Sequence, residues 1–329
     1  MPLPEIPVID IGPSLSGSER TRRRLAKQAG AACETVGFLI IANHGLSWAL
    51  IERAFAVSAE FFELPLEEKL NYRPDEPLKP RGYASFRSKN LGKTLGQETP
   101  PDLREQFFLG PLEADPERYA GFPGAARFYS ANLWPTQPAA YREVFTELYV
   151  EMEALAARLM GLFALALELP EAHFADKIDH HFSTLTSNNY PDPPDDVAPG
   201  QLRTGAHTDF GSLTILAIND APGGLQVELP GRGWCDVSPP PETLVVNLGD
   251  MVARWTGDRW RSTLHRVVNP PADAGIGTRR QSIAYFLHPN YDARVSCLPG
   301  CQRPGETPKY PPILAGEHMR EKLERRVVA

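Results

Sequence analysis

The sequence contains few cysteines: Cys33, Cys235, Cys297 and Cys301 are the only four in 329 residues. A set this small and scattered does not make the disulfide framework on which some secreted proteins depend. Cys297 and Cys301 lie close together, but no second Cys or His pair with the spacing of a zinc site accompanies them. The cysteines therefore predict neither disulfides nor structural zinc, and they suit a compartment that keeps thiols reduced.

Long apolar runs and a positive net charge are also missing. No segment approaches the roughly 20 apolar residues of a membrane-spanning helix, and the residues after Met1 lack the basic and apolar regions of a signal peptide. The net charge of −7 is opposite in sign to the basic surface that nucleic-acid-binding proteins usually carry. We therefore expect a soluble, cytoplasmic protein that binds neither membranes nor nucleic acid.

The first half of the chain has the pattern of mixed helix and strand. Apolar residues at helical spacing, β-branched runs and Gly or Pro boundaries predict the elements there. They are a strand over residues 7–11, a helix over 18–34, a strand over 38–42 and a helix over 48–63. Residues 74–111 are rich in Pro, Gly and alternating charge, and they are predicted to form loops.

The second half changes from helical to β-rich patterns. Val144, Leu148, Met152 and Leu155 belong to one apolar stripe, which predicts a long core helix within residues 138–169. Short β-rich segments separated by Gly, Pro and Asp follow, and residues 316–326 again look helical. Many short strands divided by turns favour a β-sandwich or barrel, of which a jelly roll is one form. The predicted strands cover residues 184–188, 213–218, 225–228, 243–247, 264–268 and 281–287.

His207, Asp209 and His265 form a candidate metal site. Residues two apart on a strand or its extension point to the same side, so His207 and Asp209 can share one ion. His265 lies on a separate predicted strand, which a barrel can bring opposite. Two imidazoles and one carboxylate on one face of the metal are typical of non-haem Fe(II) oxygenases. Zinc is the competing metal, but nothing adjacent to the three residues supplies the general base of a hydrolytic zinc site.

Arg280 and Ser282 form a candidate anion receptor. They lie at the start of a predicted strand, where alternation puts both side chains on one face. A guanidinium offers a planar pair of donors that matches a carboxylate, and it keeps its charge. A hydroxyl beside it adds a further hydrogen-bonding group. The pair therefore predicts a site for a carboxylate ligand, which a zinc hydrolase would not explain.

The segments His207-Thr208-Asp209-Phe210-Gly211-Ser212, Ser262-Thr263-Leu264-His265-Arg266 and Arg280-Gln281-Ser282 resemble the isopenicillin N synthase-like family of 2-oxoglutarate/Fe(II)-dependent oxygenases. Asn188-Asn189-Tyr190-Pro191 is similar to another segment of that family, and so are Pro7-Val8-Ile9-Asp10, Asn43-His44-Gly45 and Asp102-Leu103-Arg104-Glu105. The order of these segments along the chain matches as well, and the resemblance covers most of the sequence.

The resemblance implies a fold and a cofactor set. The fold is α+β or mainly β, with a double-stranded β-helix (jelly-roll) core, a helical N-terminal module and a long support helix. Residues 1–125 would be the N-terminal module, 126–295 the support helix and core, and 296–329 a C-terminal lid. The cofactors would be Fe(II) on the three metal-site residues, 2-oxoglutarate as cosubstrate, and O2. Arg280 and Ser282 would bind the distal carboxylate of 2-oxoglutarate, with Tyr190 and Asn188 beside it.

The implied reaction is oxidation, above all hydroxylation, of a C–H bond in a small molecule, with release of succinate and CO2. Candidate substrate contacts are Phe210, Tyr83, Phe86 and Arg104, and their aromatic and basic mixture favours a substrate with an anionic group and an apolar body. We expect a monomer. Two alternatives stay open at this point: an Fe(II) oxidase of the same family that does not use 2-oxoglutarate, and a non-catalytic binding module on the same barrel.

Overall fold

The computed structural model describes residues 5–76, 78–96, 98–271, 273–275, 277–302 and 305–324. Their strands form two main sheets and a short two-stranded one. The strands are β1 (Val8–Asp10), β2 (Phe38–Ala42), β3 (Gly82–Ala84), β4 (Glu105–Leu109), β5 (Thr184–Tyr190), β6 (Thr204–His207), β7 (Leu213–Ile218), β8 (Gly224–Leu229), β9 (Gly233–Asp236), β10 (Leu244–Leu248), β11 (His265–Val268), β12 (Arg280–Leu287), β13 (Arg294–Val295) and β14 (Ile313–Leu314).

The helices lie mainly in the N-terminal half and at the end of the described chain. They are α1 (Gly12–Ser16), α2 (Glu19–Thr35), α3 (Trp48–Glu63), α4 (Leu66–Leu70), α5 (Tyr141–Ala166), α6 (Asp250–Trp255) and α7 (Ala315–Glu324). The Ser18 hydroxyl accepts a hydrogen bond from Thr21 N and so caps α2. Within the described parts of the chain, no helix combines the length and the apolar character that crossing a membrane requires.

The two main sheets pack face to face. The larger has the order β1-β2-β10-β7-β12-β5-β4-β3, and the smaller has the order β6-β11-β8-β9. Phe38, Ile40 and Val245 of the larger sheet form an apolar cluster with Leu225 and Val227 of the smaller one. Burial of apolar side chains between two antiparallel faces stabilises a sandwich of this kind. The predicted jelly-roll core is confirmed.

Helices cover the other face of the larger sheet. The long helix α5 packs against α2, α3 and β12. Its buried residues include Val144, Leu148, Met152 and Leu155, the same stripe that the sequence shows. Because the larger sheet is covered on both faces, its residues alternate between the helix-facing core and the interior between the sheets. This alternation decides which side chains reach the candidate site.

Several predicted elements are confirmed and some are wrong. The predicted helix over 48–63 and the strands over 38–42 and 213–218 have the bounds of α3, β2 and β7. Residues 74–111 are not only loops, because β3 and β4 lie there, and β4 pairs with β5 in the larger sheet. Short strands such as these depend on pairing partners that are distant in sequence, so local composition does not reveal them. The sequence patterns also did not predict β6, β9 and α6.

The proposed division into three parts remains a prediction. Residues 1–125 contribute β1 to β4, and all four of these strands join the larger sheet alongside β5, β7, β10 and β12. The predicted C-terminal helix over residues 316–326 corresponds to α7, which begins one residue earlier, at Ala315. Residues 325 and 326 of the predicted range lie outside the described residues.

Candidate metal centre and adjoining cavity

Strand pairing brings the three candidate metal ligands together. His265 on β11 is the register partner of His207, the last residue of β6, and Asp209 follows two residues later. The Asp209 Oδ1 atom lies 3.8 Å from His207 Nε2 and 3.7 Å from His265 Nε2. One ligand atom from each residue lies within 4.8 Å of the other two, and all three residues are buried. The donor set and its spacing suit one divalent ion.

Backbone carbonyls orient both imidazoles. His207 Nδ1 lies 2.8 Å from Gly205 O, and His265 Nδ1 lies 3.1 Å from Thr263 O. A proton on Nδ1 that is donated to the carbonyl leaves the lone pair of each ring on Nε2. Both Nε2 atoms are the ones that approach Asp209. The tautomers that the local backbone favours are therefore those that a shared ion needs.

Two neutral side chains hold the second oxygen of Asp209. Its Oδ2 atom accepts hydrogen bonds from Thr214 Oγ1 at 2.5 Å and from Asn247 Nδ2 at 2.7 Å. Thr214 lies on β7 and Asn247 on the neighbouring β10, where they are register partners. The carboxylate is thereby fixed with Oδ1 toward the two imidazoles. Sequence reasoning did not identify Thr214 or Asn247, although alternation along their predicted strands marks both as facing away from the helix core.

The candidate anion receptor forms on two adjacent strands. In the antiparallel pair β12 and β5, Arg280 lies opposite Tyr190 and Ser282 lies opposite Asn188. Asn188 Nδ2 donates to Ser282 Oγ at 3.3 Å, and the Arg280 guanidinium carbon lies 5.1 Å from the centre of the Tyr190 ring. The structure therefore brings together all four residues that the sequence suggested for a carboxylate.

Arg280 carries an unsatisfied buried donor. Its side chain is only 2% exposed, and its Nη1 atom has no hydrogen-bond partner. Burial lowers the pKa of Arg280 below its usual value. A buried guanidinium with an unpaired donor is costly, and an anionic ligand removes that cost. The residues present therefore fit a carboxylate group at this position.

The Tyr190 hydroxyl responds to the same positive charge. Burial raises its pKa and the nearby charges of Arg104 and Arg280 lower it, and the pKa of Tyr190 lies below its usual value. Contacts with Ser282 and Thr204 act in the same direction. Thr204 begins β6, the strand that ends at His207, so the anion receptor and the metal centre share this strand.

A cavity of about 150 Å³ adjoins the metal centre. Of the four predicted substrate contacts, Arg104 and Phe210 line it. The other lining residues are mainly apolar or aromatic, with a few polar and basic side chains. They are Leu78, Lys79, Pro80, Lys89, Leu91, Gln106, Phe108, Phe128, Thr184, Thr186, His207, Thr208, Asp209, Phe286, His288, Met319 and Leu323.

Tyr83 and Phe86 are not among the described residues that line this cavity. Tyr83 is register partner of Phe107, faces the helix core and contacts Phe61. Its hydroxyl donates to Glu105 Oε2 at 2.5 Å, and burial raises its pKa. Phe86 is half-buried beside the Arg87 guanidinium. The structure thus gives Tyr83 a place in the core, contrary to its prediction as a substrate contact.

Sequence reasoning missed other cavity residues. Thr184 and Thr186 alternate in phase with Asn188 and Tyr190 on β5, and Phe286 is in phase with Arg280 and Ser282 on β12. Continuing the alternation of the two predicted strands would therefore have found all three. Met319 and Leu323 lie one turn apart on α7, the helix that closes this side of the cavity.

Comparison with known proteins agrees with this geometry. Residues 182–289 match the model of the 2OG-Fe(II) oxygenase superfamily, and residues 6–137 match the N-terminal model described as non-haem dioxygenase in morphine synthesis. The chain belongs to this family. It is an Fe(II)- and 2-oxoglutarate-dependent dioxygenase, and the expected cofactors Fe(II), 2-oxoglutarate and O2 are confirmed as those of the family. An oxidase that works without 2-oxoglutarate is not favoured.

Similar proteins carry names of the same class. The chain is 36% identical to the 2-oxoglutarate-Fe(II) type oxidoreductase hxnY of Emericella nidulans, over 95% of this chain and 88% of that protein. It is 33% identical to the validamycin A dioxygenase of Streptomyces hygroscopicus subsp. limoneus, over 88% of this chain and 78% of that protein. A full-length Neurospora crassa protein, solved in complex with alpha-KG and thymine, has a TM-score of 0.84 and 31% identity, over 97% of this chain and 96% of that one.

Proposed function

We propose that His207, Asp209 and His265 hold the Fe(II) of this oxygenase. The observation that carries the proposal is their convergence: three ligand atoms lie within 4.8 Å of one another where the paired strands β6 and β11 meet, and His207 and Asp209 line a cavity. Three protein ligands leave other coordination positions of an octahedral ion for exogenous groups. Bound Fe(II), together with 2-oxoglutarate and O2, supplies the oxidising power for hydroxylating a C–H bond, with succinate and CO2 as the other products.

We further propose that Arg280 and Ser282 bind the distal carboxylate of 2-oxoglutarate, with Tyr190 and Asn188 beside it. Arg280 would use its unpaired Nη1 atom, and its charge persists because a guanidinium keeps its proton at neutral pH. The Tyr190 and Ser282 hydroxyls can complete the hydrogen bonding of the cosubstrate. The protein's contribution is to hold the cosubstrate against the paired strands β5 and β12, to orient the target C–H bond and to exclude water.

The cavity lined by Arg104 and Phe210 is proposed as the substrate site. Its modest volume and largely apolar wall support a small molecule as the substrate. Relatives are named for small molecules such as validamycin A and proline, and the Neurospora protein was solved with thymine. We also propose that the protein works as a cytoplasmic monomer without membrane or nucleic-acid partners. The net charge of −7 supports the absence of a nucleic-acid partner.

An anaerobic titration tests the metal and cosubstrate assignment. Metal-free protein receives Fe(II) and then 2-oxoglutarate, and the visible spectrum is recorded. We expect the weak charge-transfer band of a chelated 2-oxo acid to develop and saturate with 2-oxoglutarate. Succinate, which has no keto group, serves as the control ligand and should give no band. A folded, iron-loaded protein that gives no band with 2-oxoglutarate would refute the proposed site.

Loss of a hydrogen bond to Asp209 is expected to weaken iron binding without removing a ligand. Asn247→Ala leaves Oδ2 of Asp209 with only the Thr214 contact, so the carboxylate is less well oriented. Loss of such an outer partner typically costs about 10- to 100-fold in metal affinity. Competition with a fluorescent chelator measures the change. Asn71→Ala, on an exposed residue, is the control, and equal affinities in the two variants would contradict the prediction.

A further inference from the structure

We propose that the substrate of this oxygenase carries a carboxylate and that Arg104 binds it at the cavity wall. The proposal rests on the proposed function, because it takes the cavity beside His207 and Asp209 as the substrate site. It adds a chemical class for the substrate and a residue that selects it. Arg104 immediately precedes β4 and lines the cavity together with Gln106 and Phe108 of that strand.

Arg104 is buried, and one of its hydrogen-bond donors has no acceptor. Its side chain is 9% exposed. Nη2 donates to Asp102 Oδ2 at 3.2 Å, and Nη1 makes a long contact of 3.5 Å with Asn188 Oδ1. That Asn188 oxygen already accepts from Gln106 Nε2 at 2.7 Å. The buried Nε atom of Arg104 has no partner. The Nε donor therefore lacks an acceptor, and a carboxylate can supply one in the plane of the guanidinium.

The same wall carries further groups that favour an anion. Lys89 lines the cavity, and its carbonyl accepts a hydrogen bond from Asp102 N at 2.8 Å, so the Lys89 segment touches the one that presents Arg104. The Thr186 hydroxyl is buried, lines the cavity and has no hydrogen-bond partner. Asp102 offsets one positive charge, and Asp209 is committed to the metal centre. The unpartnered Nε of Arg104 and the Thr186 hydroxyl therefore suit a negatively charged ligand.

The apolar side chains of the cavity indicate the chemical character of the uncharged part of the substrate. Phe108, Phe210, Phe286, Met319 and Leu323 supply an apolar surface. A cavity of about 150 Å³ accommodates a molecule about the size of benzene. The substrate class is therefore a small carboxylic acid with a compact apolar body, oriented by its carboxylate so that a carbon of that body faces the metal centre.

Arg104 is distinct from the proposed 2-oxoglutarate anchor. Arg280, Ser282 and Tyr190 are not among the described residues that line the cavity, and Asn188 stands between Arg104 and Ser282. Both guanidiniums lie near Tyr190, but only that of Arg104 lines the cavity. Each can hold one carboxylate, so the substrate and the cosubstrate do not compete for the same cation.

Matched acids and amides test the proposal. Protein loaded with Fe(II) and 2-oxoglutarate under anaerobic conditions is first checked for the charge-transfer band. It is then titrated calorimetrically with benzoate, phenylacetate and hexanoate, and with their amides benzamide, phenylacetamide and hexanamide. We expect at least one acid to bind at millimolar concentration or below, and its amide to bind about tenfold or more weakly. Each pair has nearly the same shape, so the difference reports the charge.

Substitutions at Arg104 locate the effect. Arg104→Gln should weaken the acid by about 10- to 100-fold and leave the weak amide binding nearly unchanged, because only the acid forms an ion pair with the guanidinium. Arg104→Lys should restore part of the acid binding. Arg87→Gln is the control, since Arg87 pairs with Asp196 and does not line the cavity.

Each outcome has one meaning. Acids that bind no better than amides, no acid binding at millimolar concentration, or unchanged acid binding in Arg104→Gln would each overturn the proposal. Loss of the band in Arg104→Gln would show instead that Arg104 holds the cosubstrate, and would overturn it too. Absence of the band in the unsubstituted protein is the separate failure of the proposed function.

Discussion

Replacing His207 with alanine is expected to lower Fe(II) affinity by more than about a hundredfold, and succinate formation should fall to background. Loss of an outer hydrogen-bond partner of a metal ligand costs about 10- to 100-fold, so loss of the ligand itself should cost more. The remaining pair, Asp209 and His265, would hold the ion through two protein ligands only. Metal content after dialysis and anaerobic titration with Fe(II) measure the affinity.

His180→Ala is the matched control for this substitution. His180 is exposed and lies away from the cavity, and its side chain is near Asp179. This variant should bind iron and form succinate like the unsubstituted protein. Folding of His207→Ala is checked by circular dichroism, because its imidazole also bonds to Gly205 O. A folded His207→Ala variant with normal iron affinity would rule out His207 as a ligand.

Replacing Arg280 with alanine is expected to cost about 30-fold to several thousandfold in 2-oxoglutarate affinity. Truncating one partner of a buried, hydrogen-bonded charge pair typically costs about 2–5 kcal/mol, and each 1.4 kcal/mol is about tenfold in a dissociation constant. Arg280 is 2% exposed, so water does not replace its hydrogen bonds easily. The charge-transfer band should appear only at much higher 2-oxoglutarate concentration, with iron affinity little changed.

The neighbouring arginine provides the control for Arg280. Arg279 points to the other face of β12, where it donates to Asn189 Oδ1 at 2.8 Å and pairs with Glu63 at 2.7 Å. Arg279→Ala should therefore leave 2-oxoglutarate affinity unchanged. Equal weakening in the two variants would point to a general loss of positive charge, and normal binding in Arg280→Ala would remove Arg280 from the site.

The two substitutions separate two steps of assembly. His207→Ala acts on the metal and therefore on everything that depends on it, whereas Arg280→Ala acts on the cosubstrate after the metal is in place. If the proposed sites are correct, Arg280→Ala protein binds iron but needs more 2-oxoglutarate, and His207→Ala protein fails at the first step. Reversal of this pattern would mean that the two receptors have been assigned to the wrong ligands.

The sequence predicted the regular parts of the fold because their signals are local. The apolar stripe of α5 and the β-branched runs of β2 and β7 are readable in windows of a few residues. The pairs His207 with Asp209 and Arg280 with Ser282 are also local, since alternation along one strand puts each pair on one face. Family resemblance then supplied the iron, the cosubstrate and the jelly roll, and these are confirmed.

Tertiary structure decided which side chains of the N-terminal half reach the cavity. Tyr83 and Arg104 were equally plausible substrate contacts by residue type. The register of β4 with β3 and β5 sends Tyr83 and Phe107 to the helix core, and Gln106 and Phe108 to the cavity. A shift of one residue would exchange the two faces. Because pairing partners far apart in sequence set this register, local composition could not reveal it.

The sequence by itself determined the chemical identity of the candidate ligands and their order along the chain, together with the strands that carry His265 and Ser282. Only the tertiary structure decided that His265 lies opposite His207, that Thr214 and Asn247 hold the carboxylate of Asp209, and that Arg104 keeps an unpaired buried donor at the cavity wall. The physical reason is that these contacts join different strands, and strand order and register are properties of the packed sheets.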